Sequence, residues 1–386
     1  MVTVNPVVSK LAAYPAEALY AKRAALRAAG LEVFDFSVGD PIEPTDEGIV
    51  AAFREGVPPV SQYPTIRGEA DHRAAICEWI GRRFDGTTVD PDRELLPTRG
   101  SKEAIFHLPL TFLDPHGPRR KVLYGVPGYP VYERGTRFAG GEVWPVELRP
   151  ETGYRLEPWE LPGDEIAKTA ILWINYPHNP TAAGVDLAYL ERVHAFCRER
   201  EILLCADECY VDMYFEEPKP PSVLELSSRE GLLAFHSLSK RSGMTGYRSG
   251  FVAGDAELIA RLGKTRPNFG VATTVMVQRA GSWAWRDEAH AEARRQAFRA
   301  KRDTFMRFFA EVGLEHTPCT STLYLWVRTP EDRDALGYAE ALADKGILVS
   351  PAPFHGVEQP YVRVALVPSL ADCERAIELW RAFHRA

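Results

Sequence analysis

The stretch AILWINYPHNPTAAGVDLAYLERVHAFCREREILLCADECY, residues 170–210, decides the fold class. It contains two short apolar runs that each end in polar residues, and the segment between them has the apolar spacing of an amphipathic helix. Runs this continuous in Val, Ile, Leu and Ala are typical of strands that are covered on both faces. Strand, helix and strand in this order predict an α/β domain with a mostly parallel sheet.

The sequence around this stretch predicts two domains. Further apolar runs that end in turns lie between residues 121 and 254, in KVLYGVPGYP, LLAFHSLSK and SGFVAGD. From about Gly281 the chain becomes rich in Ala, Arg and Glu, which predicts a long helix ending at Gly313 and then a smaller α+β unit. Because 386 residues exceed what one core usually holds, we expect a large domain over residues 48–282 and a small domain from residues 1–47 and 283–386.

Composition and charge exclude several classes of function. The chain is 45% hydrophobic and 26% charged, and its formal net charge of -7 argues against a nucleic-acid partner. No apolar run reaches the roughly 20 residues of a membrane span. The start, MVTVNPVVSKLAAYP, lacks the basic region of a signal peptide. We therefore expect a cytoplasmic protein that binds neither nucleic acid nor membrane.

The cysteines and histidines do not have the spacing of a metal site. Cys205 and Cys209 form an isolated C-x3-C pair without a second pair, so we expect six reduced thiols and no metal. The histidines closest to the motifs below are also dispersed, and they are His107, His178, His236 and His355. The GKT at residues 263–265 is not interpreted as a phosphate-binding loop, because Leu258 stands where that loop needs glycine and the segment looks helical.

Polar residues that follow the predicted strands mark the ligand-binding edge of a parallel sheet. One of these ends is HSLSKRSGMTGYRSG, residues 236–250. Here Lys240 could be a phosphate-binding charge, an activated amine or a solvated surface residue. Ser237 and Arg248, in a loop with glycines, favour a cradle for a phosphate over a flexible surface loop. Gly100 and Ser101 precede an amphipathic helix, which is either an ordinary helix cap or a second set of donors for the same phosphate.

Asp207 ends a strongly apolar run, where an unpaired carboxylate is costly. It needs a cation, either an arginine or a protonated heterocyclic nitrogen, and Tyr210 places a phenol near the same strand end. Together these residues call for a ligand with a phosphate, a basic ring nitrogen and a carbonyl that a lysine can attack. Pyridoxal 5'-phosphate has all three groups, and lysine Schiff-base chemistry is its signature.

The lysine segment resembles the cofactor-lysine signature of class I/II aminotransferases, which have fold type I. Other motifs of that family follow in the right order over nearly the whole chain: VGDP, QYPTIRG, TRGSKEAIF, PGYPVY, HNPT, ADECY, PAPFHG and YVRVAL. The resemblance implies a mostly parallel sheet of the seven-stranded type sandwiched by helices, together with a smaller α+β domain. One departure is HNPTA in place of the usual NPTG, which puts the geometry of that loop in doubt.

The resemblance also implies roles around the reactive end of the cofactor. Lys240 would form the Schiff base and move the proton. Asp207 would pair with the pyridine nitrogen, while Asn179 and Tyr210 would hydrogen-bond the phenolic oxygen. Tyr129 matches the aromatic residue that stacks on the ring.

The family implies a second group of residues at the cofactor phosphate. Those that would grip it are Ser101, Ser237 and Arg248, and Gly100 and Lys102 would lend contacts from their loop.

Substrate binding and assembly are implied by three more positions. Arg363 matches the arginine that receives the substrate α-carboxylate, and Gly39 lies beside that carboxylate. Tyr63 matches the residue that reaches the phosphate of the neighbouring subunit, which implies a homodimer with shared active sites.

The reaction implied is transfer of an amino group from an amino acid to a 2-oxoacid such as 2-oxoglutarate. HSLSKRS and the N-terminal segment look most like N-succinyldiaminopimelate aminotransferases of lysine biosynthesis, so N-succinyl-LL-2,6-diaminopimelate is the expected substrate. GMTGYR looks equally like general aspartate or alanine aminotransferases, and a carbon-sulfur lyase on the same fold is a further alternative. A cation for a distal substrate group could come from Arg67, Arg137 or Arg266, which lie near cofactor motifs.

Overall fold

The computed structural model describes residues 2–11 and 13–385, and its largest element is a seven-stranded sheet. The strands of the described chain are β1 (Phe34–Asp35), β2 (Leu95–Thr98), β3 (Lys121–Val126), β4 (Glu142–Glu147), β5 (Thr169–Ile174), β6 (Leu203–Asp207), β7 (Leu232–Ser237), β8 (Gly250–Gly254), β9 (Tyr324–Arg328), β10 (Ile347–Leu348), β11 (Ser350–Pro351) and β12 (Tyr361–Ala365). The large sheet has the order β2-β8-β7-β6-β5-β3-β4. All its neighbours pair in parallel except β8, which is antiparallel to both β2 and β7. The expected mostly parallel sheet is confirmed.

Helices cover both faces of this sheet. The α-helices of the described chain are α1 (Pro6–Lys10), α2 (Pro15–Ala28), α3 (Glu47–Glu55), α4 (Ala70–Arg83), α5 (Ser101–Phe112), α6 (Val131–Phe138), α7 (Gly163–Ile166), α8 (Leu187–Glu199), α9 (Leu238–Arg241), α10 (Ala256–Thr265), α11 (Val275–Arg286), α12 (Ala289–Val312), α13 (Ala335–Ala343) and α14 (Leu370–Arg385). Short 3-10 helices occupy Pro150–Thr152, Pro158–Glu160, Val223–Glu225, Arg266–Phe269 and Ala352–His355. None of the helices described has the length and apolar character needed to cross a membrane.

Alternation along each strand explains the two-sided core. In β6, Leu204 and Ala206 pack with α3, α4, α8 and α11, whereas Cys205 packs on the opposite face with α5, α6 and α10. Successive strand side chains point to opposite faces, so Asp207 shares the face of Cys205. The segment quoted first folds as predicted, because β5 and β6 pair in parallel with α8 between them.

A second, smaller sheet and its helices adjoin the first. The antiparallel sheet β11-β12-β9 and the parallel pair β1-β10 lie against a core built largely from phenylalanines of α12 and Trp380 of α14. This core also includes residues of the large sheet's loops, such as Tyr210 and Met213. The proposed division at residues 48 and 282 stays a prediction.

The long helix expected from Gly281 to Gly313 is in fact two helices. α11 ends at Arg286, Asp287 is extended with φ -83° and ψ 128°, and α12 begins at Ala289. The Asp287 carboxylate accepts a hydrogen bond from the backbone N–H of His290 at 2.9 Å, as an N-terminal cap does. Composition alone missed the break, because every residue across it tolerates a helix. Only this capping contact marks the break.

Candidate active site

A cavity of about 490 Å³ lies where the carboxyl ends of the parallel strands meet the smaller sheet. Its walls include nearly all of the predicted site residues: Gly39, Ser101, Lys102, Tyr129, Asn179, Asp207, Tyr210, Ser237, Lys240, Arg248 and Arg363. Gly100 adjoins it behind Arg248, and Tyr63 lies elsewhere. The topology therefore brings together segments that are more than 300 residues apart in the chain.

Lys240 lies on α9, directly after β7, and its side chain is half-buried. Ser237 caps this short helix by accepting a hydrogen bond from the N–H of Ser239 at 3.1 Å. The Lys240 ammonium donates to the backbone carbonyl of Gly39. The amine is thus held between the large sheet and the loop that precedes α3.

Asp207 is the last residue of β6 and is only 4% exposed. Its Oδ2 accepts a hydrogen bond from the Tyr132 hydroxyl at 2.8 Å, and its Oδ1 accepts a longer one from the N–H of Cys209 at 3.4 Å. Among the described residues no cation lies within ion-pair distance of it. Burial raises the pKa of the Asp207 carboxyl, and the hydrogen bonds from Cys209 and Tyr132 offset part of that rise.

Arg363 lies on β12 and is 9% exposed. It donates to Oδ1 of Asn179 at 3.0 Å and to the carbonyl of Ser37 at 2.6 Å, while its Nε has no hydrogen-bond partner. Asn179 is fixed in turn by Asn175, whose Oδ1 accepts its N–H at 3.0 Å. A buried guanidinium with no carboxylate partner in the described chain is suited to receive a carboxylate from a ligand.

Tyr210 and Tyr324 are neighbouring residues of the cavity wall. Their hydroxyl groups are 3.0 Å apart, and burial followed by the neighbouring Tyr324 raises the pKa of Tyr210 well above its ordinary value. Tyr324 also lies under the Arg363 guanidinium, 4.4 Å from ring centroid to Cζ. A Cβ at Gly39 would be 2.1 Å from the Tyr324 hydroxyl, so only glycine fits at that position.

Hydroxyl groups and a guanidinium converge at the opposite end of the cavity. Gly100, with φ +71°, leads into α5, and no side chain caps the first N–H groups of that helix. A Cβ on Gly100 would be 2.5 Å from the Arg248 guanidinium, so glycine is required for this close approach. Arg248 itself has φ +62° and donates to the carbonyl of Thr245 at 2.8 Å. Ser101 and Ser237 complete a set of donors suited to a phosphate.

Tyr129 and Lys102 line the cavity on its outer side. Tyr129 is half-buried, and burial followed by the nearby Tyr14 raises its pKa well above the ordinary value. The Lys102 ammonium lies 4.5 Å from the centroid of the Tyr14 ring and donates to the Tyr14 hydroxyl at 3.3 Å. No described carboxylate lies within ion-pair distance of Lys102.

Four predicted residues fall outside the cavity. The side chain of Tyr63 is fully exposed, in a separate surface cleft beside α11. The three arginines suggested for a distal substrate group also lie outside the cavity of their own chain. Each pairs with its own carboxylate: Arg67 with Asp92, Arg137 with Glu133, and Arg266 with Glu103.

Most of the histidines and cysteines lie outside the cavity, but His355 and Cys209 line it. His107 contacts Glu103, His178 contacts Thr181, and His236 contacts Glu208. Burial lowers the pKa of His178 to about 3. His355 lines the cavity and contacts Ser350. The six cysteines are free thiols, and the described residues contain no group of three or more side chains that could hold a metal.

Comparison with known proteins decides the family. Residues 32–379 match the family model of aminotransferase class I and II. The chain belongs to the class I and II aminotransferases. It is therefore an enzyme that transfers an amino group between an amino acid and a 2-oxoacid, and it depends on pyridoxal phosphate.

Several relatives of this aminotransferase are named for diaminopimelate compounds. It is 36% identical over 364 residues to LL-diaminopimelate aminotransferase 2 from Nostoc sp., covering 92% of both chains. It is 35% identical to LL-diaminopimelate aminotransferase from Aquifex aeolicus, with 90% of both chains covered. A solved structure of a probable N-succinyldiaminopimelate aminotransferase from Thermus thermophilus superposes with a TM-score of 0.86 at 28% identity, covering 96% of this chain and all of that one.

The residues of this aminotransferase fit pyridoxal phosphate. The buried Asp207 carboxylate lacks a cation, as a partner for a protonated ring nitrogen would. Arg248 lacks a carboxylate among the described residues and lies with Ser101 and Ser237, as a phosphate site requires. Lys240 points into the space between these two ends.

Sequence reasoning missed four residues of the aminotransferase site. They are Tyr132, Asn175, Tyr324 and Ser350. Tyr132 and Asn175 were within quoted strand-end motifs, so strand ends on their own could have identified them. Nothing in the sequence marks Tyr324, because its position beside Gly39 depends on how the smaller sheet packs.

Proposed function

We propose that Lys240 both carries the cofactor and moves the proton during amino transfer. Pyridoxal phosphate supplies an electron sink for the carbon atom of the substrate that loses its proton. A lysine released from the cofactor is a free amine in the same place, and Lys240 is held near Gly39 on the substrate side of the cavity. It would therefore be placed to accept the proton from the substrate carbon and to return it two atoms further along, on the far side of the transferred nitrogen.

Arg363 and Asp207 are proposed to bind opposite ends of the reacting complex. The Arg363 guanidinium donates a hydrogen bond to Asn179, and its Nε has no hydrogen-bond partner. This arrangement suits Arg363 to hold the α-carboxylate that is common to all amino-acid donors. Asp207, held by Tyr132, keeps the ring nitrogen protonated. A buried carboxylate without a cationic partner strongly favours a positive charge beside it. The observation that carries the proposal is that one cavity is lined by Lys240, by the buried Asp207 without a described cation and by the buried Arg363 without a described carboxylate.

For the physiological donor we propose LL-diaminopimelate, whose distal end carries both an ammonium and a carboxylate. Lys102 lines the cavity without a described carboxylate partner and could receive the distal carboxylate. Asp40, exposed at the cavity edge without a described cationic partner, could receive the distal ammonium. The names of the Nostoc and Aquifex relatives support this donor over the N-succinyl compound expected from sequence.

Replacing Asp40 separates the two donors. A succinylated nitrogen is an uncharged amide and its succinyl carboxylate would be repelled by Asp40, whereas the free ammonium would be attracted. Asp40→Asn should lower kcat/KM for LL-diaminopimelate about tenfold and leave or raise it for N-succinyl-LL-diaminopimelate. Aspartate, too short to reach this end, should be unaffected. Asp344→Asn, an exposed change outside the cavity, is the control.

The opposite pattern would favour other donors. If Asp40→Asn lowered kcat/KM for the N-succinyl compound alone, that compound would be the better supported donor. A protein that turns over aspartate well and neither diaminopimelate compound would be a general aspartate-type aminotransferase.

A homodimer with shared sites is also proposed. Tyr63 is fully exposed, and the apolar Val57 and Val60 of the same segment are more than half exposed. This segment lies along a cleft beside α11. A second copy covering this segment would bury these side chains and could bring Tyr63 to the neighbouring phosphate site.

A further inference from the structure

Lys240 and Arg241 are neighbours on α9, and their side chains go in opposite directions. Lys240 lines the cavity, whereas Arg241 is 2% exposed and lies behind it. The guanidinium of Arg241 donates to Oδ2 of Asp212 at 2.7 Å. A turn of four residues has little packing of its own, so contacts like this one fix where its backbone sits.

Asp212 is a buried carboxylate shared by three arginines from three elements. Its Oδ1 pairs with Arg83 of α4 at 3.0 Å, and its Oδ2 pairs with Arg241 of α9 at 2.7 Å and with Arg295 of α12 at 3.6 Å. Asp212 also follows Tyr210 by two residues. The segment that carries Tyr210 and the turn that carries Lys240 are therefore joined on the side away from the cavity.

The remaining donors of Arg241 reach the junction between α11 and α12. They go to the carbonyl of Ala284 at 2.6 Å, the carbonyl of Asp287 at 3.1 Å and Oε2 of Glu288 at 2.8 Å. A guanidinium offers this many fixed donors, and an ammonium at the same position would lose most of the contacts. The break between these helices thus coincides with the point where the Lys240 turn is attached.

We propose that Arg241 is a positioning residue for the amino-transfer reaction, which acts by fixing the backbone of Lys240 through Asp212 and the α11–α12 junction. This inference rests on the proposed role of Lys240. It predicts that loosening Arg241 misplaces the amine during proton transfer while substrate binding, which involves Arg363 and Gly39, is preserved. No contact between Arg241 and substrate or cofactor is required.

The test is Arg241→Lys in the cofactor-loaded enzyme, with rates expressed per bound cofactor. We expect kcat to fall about tenfold and KM for the amino donor to change less than about twofold, since the lost interaction acts on the chemical step alone. In the cofactor-free protein, hydrogen exchange of the backbone at residues 237–243 should become faster than in the parent. Asp212→Asn, which keeps the side-chain shape, should show the same split, and it serves as the test if Arg241→Lys does not fold.

Arg302→Lys is the matched control. Arg302 is 8% exposed and donates to Glu216 at 2.6 Å and to the carbonyl of Cys319 at 2.9 Å, and none of its described hydrogen bonds or ion pairs reaches α9. We expect it to lower the melting temperature without changing kcat per bound cofactor. An unchanged kcat in Arg241→Lys, or equal losses of kcat in both variants, would overturn the inference. If Lys240→Ala itself were active, the proposed function would fail instead.

Discussion

The guanidinium of Arg363 donates a hydrogen bond to Oδ1 of Asn179 over 3.0 Å, joining the smaller sheet to the loop after β5. The two residues are 184 positions apart in the chain, and they meet because β12 and the loop after β5 both border the cavity. Asn179 orients the guanidinium while leaving its Nε without a partner. The pair is therefore suited to receive a carboxylate, as the proposed role of Arg363 requires.

Replacing Arg363 should weaken the binding of every amino-acid donor to a similar extent, because all of them carry the α-carboxylate. We expect Arg363→Ala to lower kcat/KM about 100-fold, mostly through KM, for diaminopimelate, glutamate and aspartate. Arg363→Lys, which keeps the charge but not the planar fork, should recover only part of this loss. Steady-state kinetics over the donor panel checks this. An effect confined to one donor would assign Arg363 to a distal group instead.

Asp207→Asn should damage catalysis far more than cofactor binding. The amide keeps the shape of the side chain and can still accept the Tyr132 hydrogen bond, but it lacks the charge that holds the ring nitrogen protonated. We expect kcat to fall about 100-fold or more while the visible absorption of the protein still reports bound cofactor. Loss of the cofactor with normal turnover by the remainder would contradict the role.

The same substitution should stabilise the cofactor-free protein at neutral pH. The pKa of Asp207 is raised in the folded chain by burial, so the folded state holds this proton more tightly than the unfolded state. That contribution to stability is present below the ordinary carboxyl pKa and is lost as the pH rises through the folded value. Cofactor-free Asp207→Asn should therefore melt above the cofactor-free parent at pH 7, and the difference should shrink towards pH 4. A lower melting temperature at pH 7 would show that Asp207 is satisfied without its cation.

Ala182 stands where the family motif NPTG has its glycine, and its backbone is left-handed with φ +61°. A Cβ disfavours this conformation by about 1 kcal/mol. Ala182→Gly should relieve the strain and raise the free energy of unfolding by up to about that amount, because the loop already has the glycine conformation. Chemical denaturation measures this. A variant less stable by a similar amount would mean that packing of the buried methyl group outweighs the strain.

Sequence predicted the fold and most of the cavity because both depend on local signals. Apolar runs ending in polar turns placed Asp207 and Lys240 at the sheet edge, where β6 and β7 put them. The departure HNPTA put the geometry of its loop in doubt, and Ala182 there has the left-handed backbone that a glycine would adopt. Patterns along the chain could not supply Tyr324 or the network of Asp212 and Arg241, because these contacts arise only when separate elements pack. For the same reason, proximity in sequence to a motif was a poor guide to Arg266, which turns away to Glu103.

Tyr63 should affect cofactor binding only through the dimer. We expect the protein to sediment as a dimer, and Tyr63→Phe to weaken cofactor affinity about tenfold without changing the oligomeric state, since one hydroxyl contact to a phosphate would be lost. A fully active monomer would refute both the shared site and the role of Tyr63.

The central claim is that Lys240 carries the cofactor and drives reversible amino transfer. The most direct measurement follows the visible absorption of the cofactor-loaded enzyme after LL-diaminopimelate is added alone and then after 2-oxoglutarate is added. We predict that the band disappears with the donor and returns with the acceptor, and that Lys240→Ala, although folded, shows no such cycle. A band that the donor leaves unchanged, or an intact cycle in Lys240→Ala, would contradict the account. In a parallel sample given an S-substituted cysteine alone, release of pyruvate and ammonia without a recoverable cycle would indicate a carbon-sulfur lyase instead.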